Sequence, residues 1–295
     1  MSHLVLWLAG LAVTQTTDHA NNPVYRGLVD AGIAVEGATA RLPEPVLPDG
    51  LDADAARAKL RAVAGDDRAA RELARNSVTA PFLLKPRDVK AGGSILRLAD
   101  LYFIVHADLD EVDPGQVARQ ADGRSAEAGN MRFASKTLGN DDLRGRRVEP
   151  LAALAGRHEW YTHATGRLLD RIAVEATDRV VATRSADSLV VAGRTDRAFD
   201  RDATSPNRWS TLARQGTAEA PGPARDYEGS AGYCKITRLA SEPGALFVEV
   251  HFGFVEPHDW FQGAPILRSK LGVIAQDQVR RLRREIETRR GPKKG

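Results

Sequence analysis

Ala245-Leu246-Phe247-Val248-Glu249-Val250-His251-Phe252-Gly253-Phe254-Val255 is the stretch on which the reading of the fold turns. Side chains on a strand alternate between two faces. Leu246, Val248, Val250, Phe252 and Phe254 therefore point one way, and Phe247, Glu249, His251, Gly253 and Val255 the other. One face reads as core, the other as semi-polar. Ser241-Glu242-Pro243-Gly244 is a turn that joins this strand to another at 233–239. Working outward, the odd positions of Leu101-Tyr102-Phe103-Ile104-Val105-His106-Ala107-Asp108-Leu109 are all apolar. Residues 171–177 place Ile172, Val174 and Ala176 on one face, and Arg184-Ser185-Ala186-Asp187 is a turn between strands at 179–183 and 188–192. The chain then closes on a helix over 267–288, with an apolar stripe of Leu271, Ala275, Val279, Leu282 and Ile286 flanked by Arg280, Arg281, Arg283 and Arg284. The fold class is α+β, an antiparallel sheet packed against a long C-terminal helix.

The N-terminal part differs in kind. Three prolines in Leu42-Pro43-Glu44-Pro45-Val46-Leu47-Pro48-Asp49-Gly50 fix φ and remove donors, which predicts an extended connector. Residues 52–64 and 66–76 read as two helices that open on acidic residues and part at Gly65. The predicted organisation is a signal segment at 1–16, an N-terminal helical and extended region at 17–90, the sheet and C-terminal helix at 91–288, and a basic tail at 289–295. Between 196 and 226 the chain is polar and rich in proline and glycine, which predicts long surface loops.

Leu4-Val5-Leu6-Trp7-Leu8-Ala9-Gly10-Leu11-Ala12-Val13 is a compact apolar run followed by polar residues, with small residues near Ala12 and Thr14 where cleavage would fall. That is the pattern of an export signal, and the expectation is a periplasmic or extracellular protein. If the run is instead a buried first strand or helix, the protein is cytoplasmic. The run is too short to span a bilayer, which takes about 20 apolar residues, and no later stretch is longer. With 42 basic and 39 acidic residues the net charge is only +3, so charge does not point to nucleic acid. The arginine-rich terminal helix also carries Glu285 and Glu287 and lacks interleaved aromatics, which points to a solvated face. Cys234 is the single cysteine; it forms no intrachain disulfide and reads as a small buried hydrophobe.

The motifs that carry chemistry fall short of their requirements. His158 and His163 are five residues apart, whereas a zinc-protease helix needs two histidines four apart. On a strand that spacing puts the two rings on opposite faces. Gly92-Gly93-Ser94 precedes a strand, whereas a dinucleotide-binding loop follows one. His251, Glu256, His258 and Asp259 form a second polar cluster that carboxylate–imidazole chemistry would suit. No cofactor and no metal site is expected.

Two resemblances add to this reading. The leader with Thr17-Asp18-His19-Ala20-Asn21-Asn22-Pro23, the strand pair at 176–196 and Trp260-Phe261 to the end resemble a family of exported bacterial proteins of unassigned function. The C-terminal order of paired strands, aromatic-proline loop and long amphipathic helix is similar to the helix-grip fold of START-type lipid-binding domains. That resemblance implies a curved antiparallel sheet that wraps the last helix around an apolar cavity, here with an N-terminal helical extension. It implies an apolar small molecule or lipid as partner. The candidate ligand-binding residues are Phe247, Glu249, His251, Val255 and Trp260. The leading expectation is a non-enzymatic exported binding or structural protein. The competing one is a hydrolase-like enzyme that uses the loops at 158–163 and 251–259, and it requires those polar groups to meet in one cleft.

Overall fold

The computed structural model describes residues 18–112, 125–128, 130–146, 148, 150–215 and 218–290. The expected signal segment at 1–16 and the tail end at 291–295 lie outside the described residues. The chain enters through a short helix α1 (Pro23–Arg26), a π turn and a small hairpin, β1 (Ile33–Val35) with β2 (Ala38–Ala40). Helices α2 (Ala53–Ala64) and α3 (Asp67–Leu73) follow, where the acidic openings predicted them. The Asp52 and Asp66 carboxylates cap them by accepting from Ala55 N and Ala69 N, and Gly65 at φ +104° ends the first.

The sheet begins at Leu83, within the region expected to be helical and extended. Its strands are β3 (Leu83–Ala91), β4 (Ser94–Val105), β5 (Ser125–Ala128), β6 (Met131–Leu138), β7 (Arg157–Leu168), β8 (Ile172–Arg184) and β9 (Ser188–Thr195), with a one-turn helix α4 (Asn140–Leu143) after β6. Strands β10 (Arg208–Gln215), β11 (Ala218–Pro221), β12 (Arg225–Asp226), β13 (Ser230–Arg238) and β14 (Leu246–Pro257) complete it. The short α5 (His258–Phe261) and the 25-residue α6 (Ile266–Arg290) close the chain. Among the described residues the path is β3-β4-β14-β13-β9-β8-β7-β6-β5, antiparallel throughout. Helix α6 meets β3 and β4 at one end of that path and β5 at the other, so the sheet curls around the helix.

The expected loops at 196–226 contain β10, which pairs through Arg208–Thr211 with the first residues of β8, beside the stretch of β8 that β9 takes. Trp209 faces Val174 across that pairing and is buried. Strand pairing overrides the polar composition there, and the buried Phe199 anchors the stretch before it.

Both faces of the central strands are buried. On the inner face Leu246, Val248 and Val250 pack with Leu101, Phe103, Val180, Val191 and Ile236 against Ala275, Val279 and Leu282 of α6. On the outer face two clusters form. Val24, Tyr25, Leu28 and Ile33 cover Leu98, Val190, Tyr233 and Val255. Leu47, Ala56, Leu60 and Leu73 cover Tyr102, Ile104 and Phe247. Gly253 is required for this closure, because a Cβ there would lie 2.6 Å from Leu98 Cδ2 and 2.9 Å from Ile33 Cδ1. Arg283, expected on the solvated side of the helix, is buried. Its guanidinium donates to the carbonyls of Ile104, Ala80 and Pro81 and ties the helix to the segment that enters the sheet.

Truncation of Leu282 to alanine removes a side chain that is 4% exposed under the sheet, and should cost about 2–4 kcal/mol in urea unfolding. Val273→Ala on the same helix, where the side chain is 55% exposed, should stay within about 0.5 kcal/mol.

Candidate functional site: the outer ladder and the inner wall

On the outer face the register builds two rungs of polar side chains. Asp100, His251 and Tyr233 lie side by side across β4, β14 and β13, and Tyr102, Glu249 and Lys235 form the next rung. His251 Nδ1 is 2.7 Å from Asp100 Oδ1, and its Nε2 is 3.5 Å from Glu249 Oε2. Tyr102 meets the imidazole edge-on at 5.5 Å, and the Tyr233 ring lies tilted over it at 4.8 Å. Burial acts to lower the pKa of His251, but the hydrogen bonds to Asp100 and Glu249 outweigh it and hold the ring above its ordinary value. Both ring nitrogens face carboxylates, so neither is turned toward an open site.

The prolines at 43–48 lie over these rungs, and the sheet holds them by their backbone. Tyr233 donates to Pro43 O at 2.6 Å, Val46 N donates to Glu249 Oε2 at 2.7 Å, and Lys235 Nζ donates to Leu47 O at 2.7 Å. Asp49 then receives Lys235 Nζ at 2.7 Å together with the hydroxyls of Ser185 and Ser188. Burial would raise the Asp49 carboxyl, but these donors, Lys235 first, hold it below the usual range. His19 bonds Thr183 and Ser188 beside this group, and burial pushes it down to about 4. The structure thus places Phe247, Glu249, His251 and Val255 under the N-terminal segment. Trp260 is on the other face, stacked on Tyr227 at 5.7 Å and edge-on to Trp209 at 6.0 Å.

The inner face is of a different make. Between the cluster under α6 and a second apolar cluster of Leu168, Ile172, Trp209, Phe254, Trp260 and Leu267 runs a belt of small and polar residues. The register brings it together from Thr162 and Ala164 on β7, Ala176 and Asp178 on β8, Gly193 on β9 and Gly232 on β13. The large groups at its margin, Phe133 on β6, Phe252 on β14 and Ile274 on α6, are only partly buried although they pack against the inner clusters. The concave wall thus carries small side chains flanked by large ones. Asp178 is buried in that belt and accepts from Thr195 Oγ1 at 2.8 Å. Burial is the leading effect on its carboxyl and pushes it up to about 6, against the hydrogen bond from Thr195.

The other polar groups read from the sequence do not converge. His163 lies on the outer face of the sheet, on Thr177 Oγ1 at 2.9 Å and 3.6 Å from Glu175, and His158 is on the opposite face of the same strand. Glu256 is clamped by Arg97 at 2.9 Å, and Asp259 pairs with Arg225 at the surface. Among the described residues no cluster of three metal-ligating side chains occurs. Cys234 is buried under α6, and burial pushes its thiol far up. The polar groups that the hydrolase reading needs in one cleft are distributed over both faces of the sheet and the surface.

No protein-family model and no curated protein matches the sequence. Among solved structures the chain is similar to the human StarD13 (DLC2) lipid transfer and protein localization domain, with a TM-score of 0.35 and 10% identity over 69% of this chain and 89% of that one. At that distance the likeness assigns neither ligand nor residues.

Glu249→Ala leaves the His251 imidazolium and the Val46 amide without their shared acceptor, and should lower stability by about 3–5 kcal/mol, with Glu249→Gln milder. The His251 pKa is raised on folding, so its contribution is fully present below the histidine reference of about 6.5 and is lost as pH rises through the higher folded value. The gap in melting temperature between wild type and His251→Gln should therefore be widest in acid and narrow in alkali; a gap that widens upward would contradict this assignment.

Proposed function

We propose that this chain is a non-enzymatic binding protein that holds an apolar small molecule or lipid between the curled sheet and α6, and that it does so after export. The observation that carries the reading is the belt of small residues on the inner wall, with Phe133, Phe252 and Ile274 left half-covered around it. The ligand wall in this reading is the inner face, to which Trp260 belongs. The outer face, with Phe247, Glu249, His251 and Val255, serves to seat the N-terminal segment. Support for export is the apolar run at 4–13 with small residues after it.

Native mass spectrometry on the full chain, produced with its leader and recovered from a bacterial periplasm, tests both parts. The expected result is a chain shortened near Ala12–Thr14 and a lipid-sized adduct released by mild activation. The delipidated protein should also enhance N-phenyl-1-naphthylamine fluorescence saturably. An intact mass would refute export, and a protein that takes up neither adduct nor probe would refute the carrier.

A further inference from the structure

We propose that the ligand's polar end is a hydrogen-bond donor, a hydroxyl or an ammonium, and that Asp178 on the inner wall receives it. The inference rests on the carrier reading above and assigns the chemistry that such a site selects. Asp178 is buried, and the ladder sets it directly between Thr162 on β7 and Thr195 on β9. A carboxylate has room for about four donors, and among the described residues only the Thr195 hydroxyl supplies one. Among the described residues no cation lies within ion-pair distance of it. Among the described residues the Thr162 hydroxyl is buried and has no hydrogen-bond partner, and burial, with the Asp178 charge second, pushes the nearby Tyr227 hydroxyl far up. A carboxylate removed from water with so few donors is costly unless something else donates to it.

The wall beside it carries glycines in place of bulky side chains. Gly193 and Gly232 are partners in the next rung, opposite Val180. A Cβ on Gly193 would stand 3.5 Å from Val180 Cγ2, in ordinary van der Waals contact. An anionic head would face Asp178 with no free cation among the described residues of that wall to offset it. Arg97, on the same inner face, is already committed to Glu256 at 2.9 Å and Asp88 at 2.8 Å. The apolar clusters on either side of the belt would take the rest of the molecule.

The test is displacement of N-phenyl-1-naphthylamine from the delipidated full-length protein by decylamine, decanol and decanoate, which share one tail and differ in the head. Decylamine and decanol should displace the probe at concentrations about tenfold or more below decanoate, the expected worth of a hydrogen bond to a charged group. Asp178→Asn, which keeps shape and removes charge, should abolish the preference for the amine. Thr162→Val should weaken decanol severalfold and serves as the control if the first variant folds poorly. Decanoate binding as tightly as the amine, or a ranking that Asp178→Asn leaves unchanged while all three still displace the probe, would overturn the inference and leave the carrier intact. A protein that never binds the probe would overturn both.

Discussion

Strand β14 has no face to show to water, and that constraint organises the molecule. A strand apolar on one side needs one cover; this one is buried on both, so the chain must supply a helix inside and a second layer outside. The helix comes from the residues that follow β14, and the outer layer from the first third of the chain. Because the inner cover is a single helix and not a second sheet, the strands curl until both ends of the path approach it. That curl in turn creates a concave wall where large side chains can stand apart.

Buried charge is paired on the outer face, and on the inner face Arg97 and Glu256 are paired while Asp178 is not. Outside, each charge has its complement at hand: His251 between two carboxylates, Lys235 on Asp49, Glu249 on backbone amides. Such pairing makes a specific lid and a chemically quiet one, since its charged groups are already committed to partners. Inside, Asp178 is met by one threonine hydroxyl. A buried carboxylate with so few donors is a candidate for a partner from outside the chain.

The sequence displayed whatever depends on side-chain period. The strands at 101–105, 172–177 and 246–255, both hairpins and the stripe of α6 were legible because alternation and three-to-four spacing report which face is buried. The outer cover was not, because an extended proline segment has no period and is gripped by its carbonyls and amides, which every sequence shares. Trp209 was hidden in a polar stretch that becomes a strand by pairing with β8. Asp178 did leave a trace: it continues the face of Ile172, Val174 and Ala176, and a carboxylate on an apolar face is a signal in its own right.

The grip on the proline connector also sets the order of events in folding. Pro43 meets Tyr233 across 190 residues of chain and Val46 meets Glu249 across 203. While the chain is being synthesised, the first third has no surface to settle on until β13 and β14 have emerged. Contacts of such long range close slowly, so the proline connector docks late, after the local hairpins and helices of the first third have had time to form.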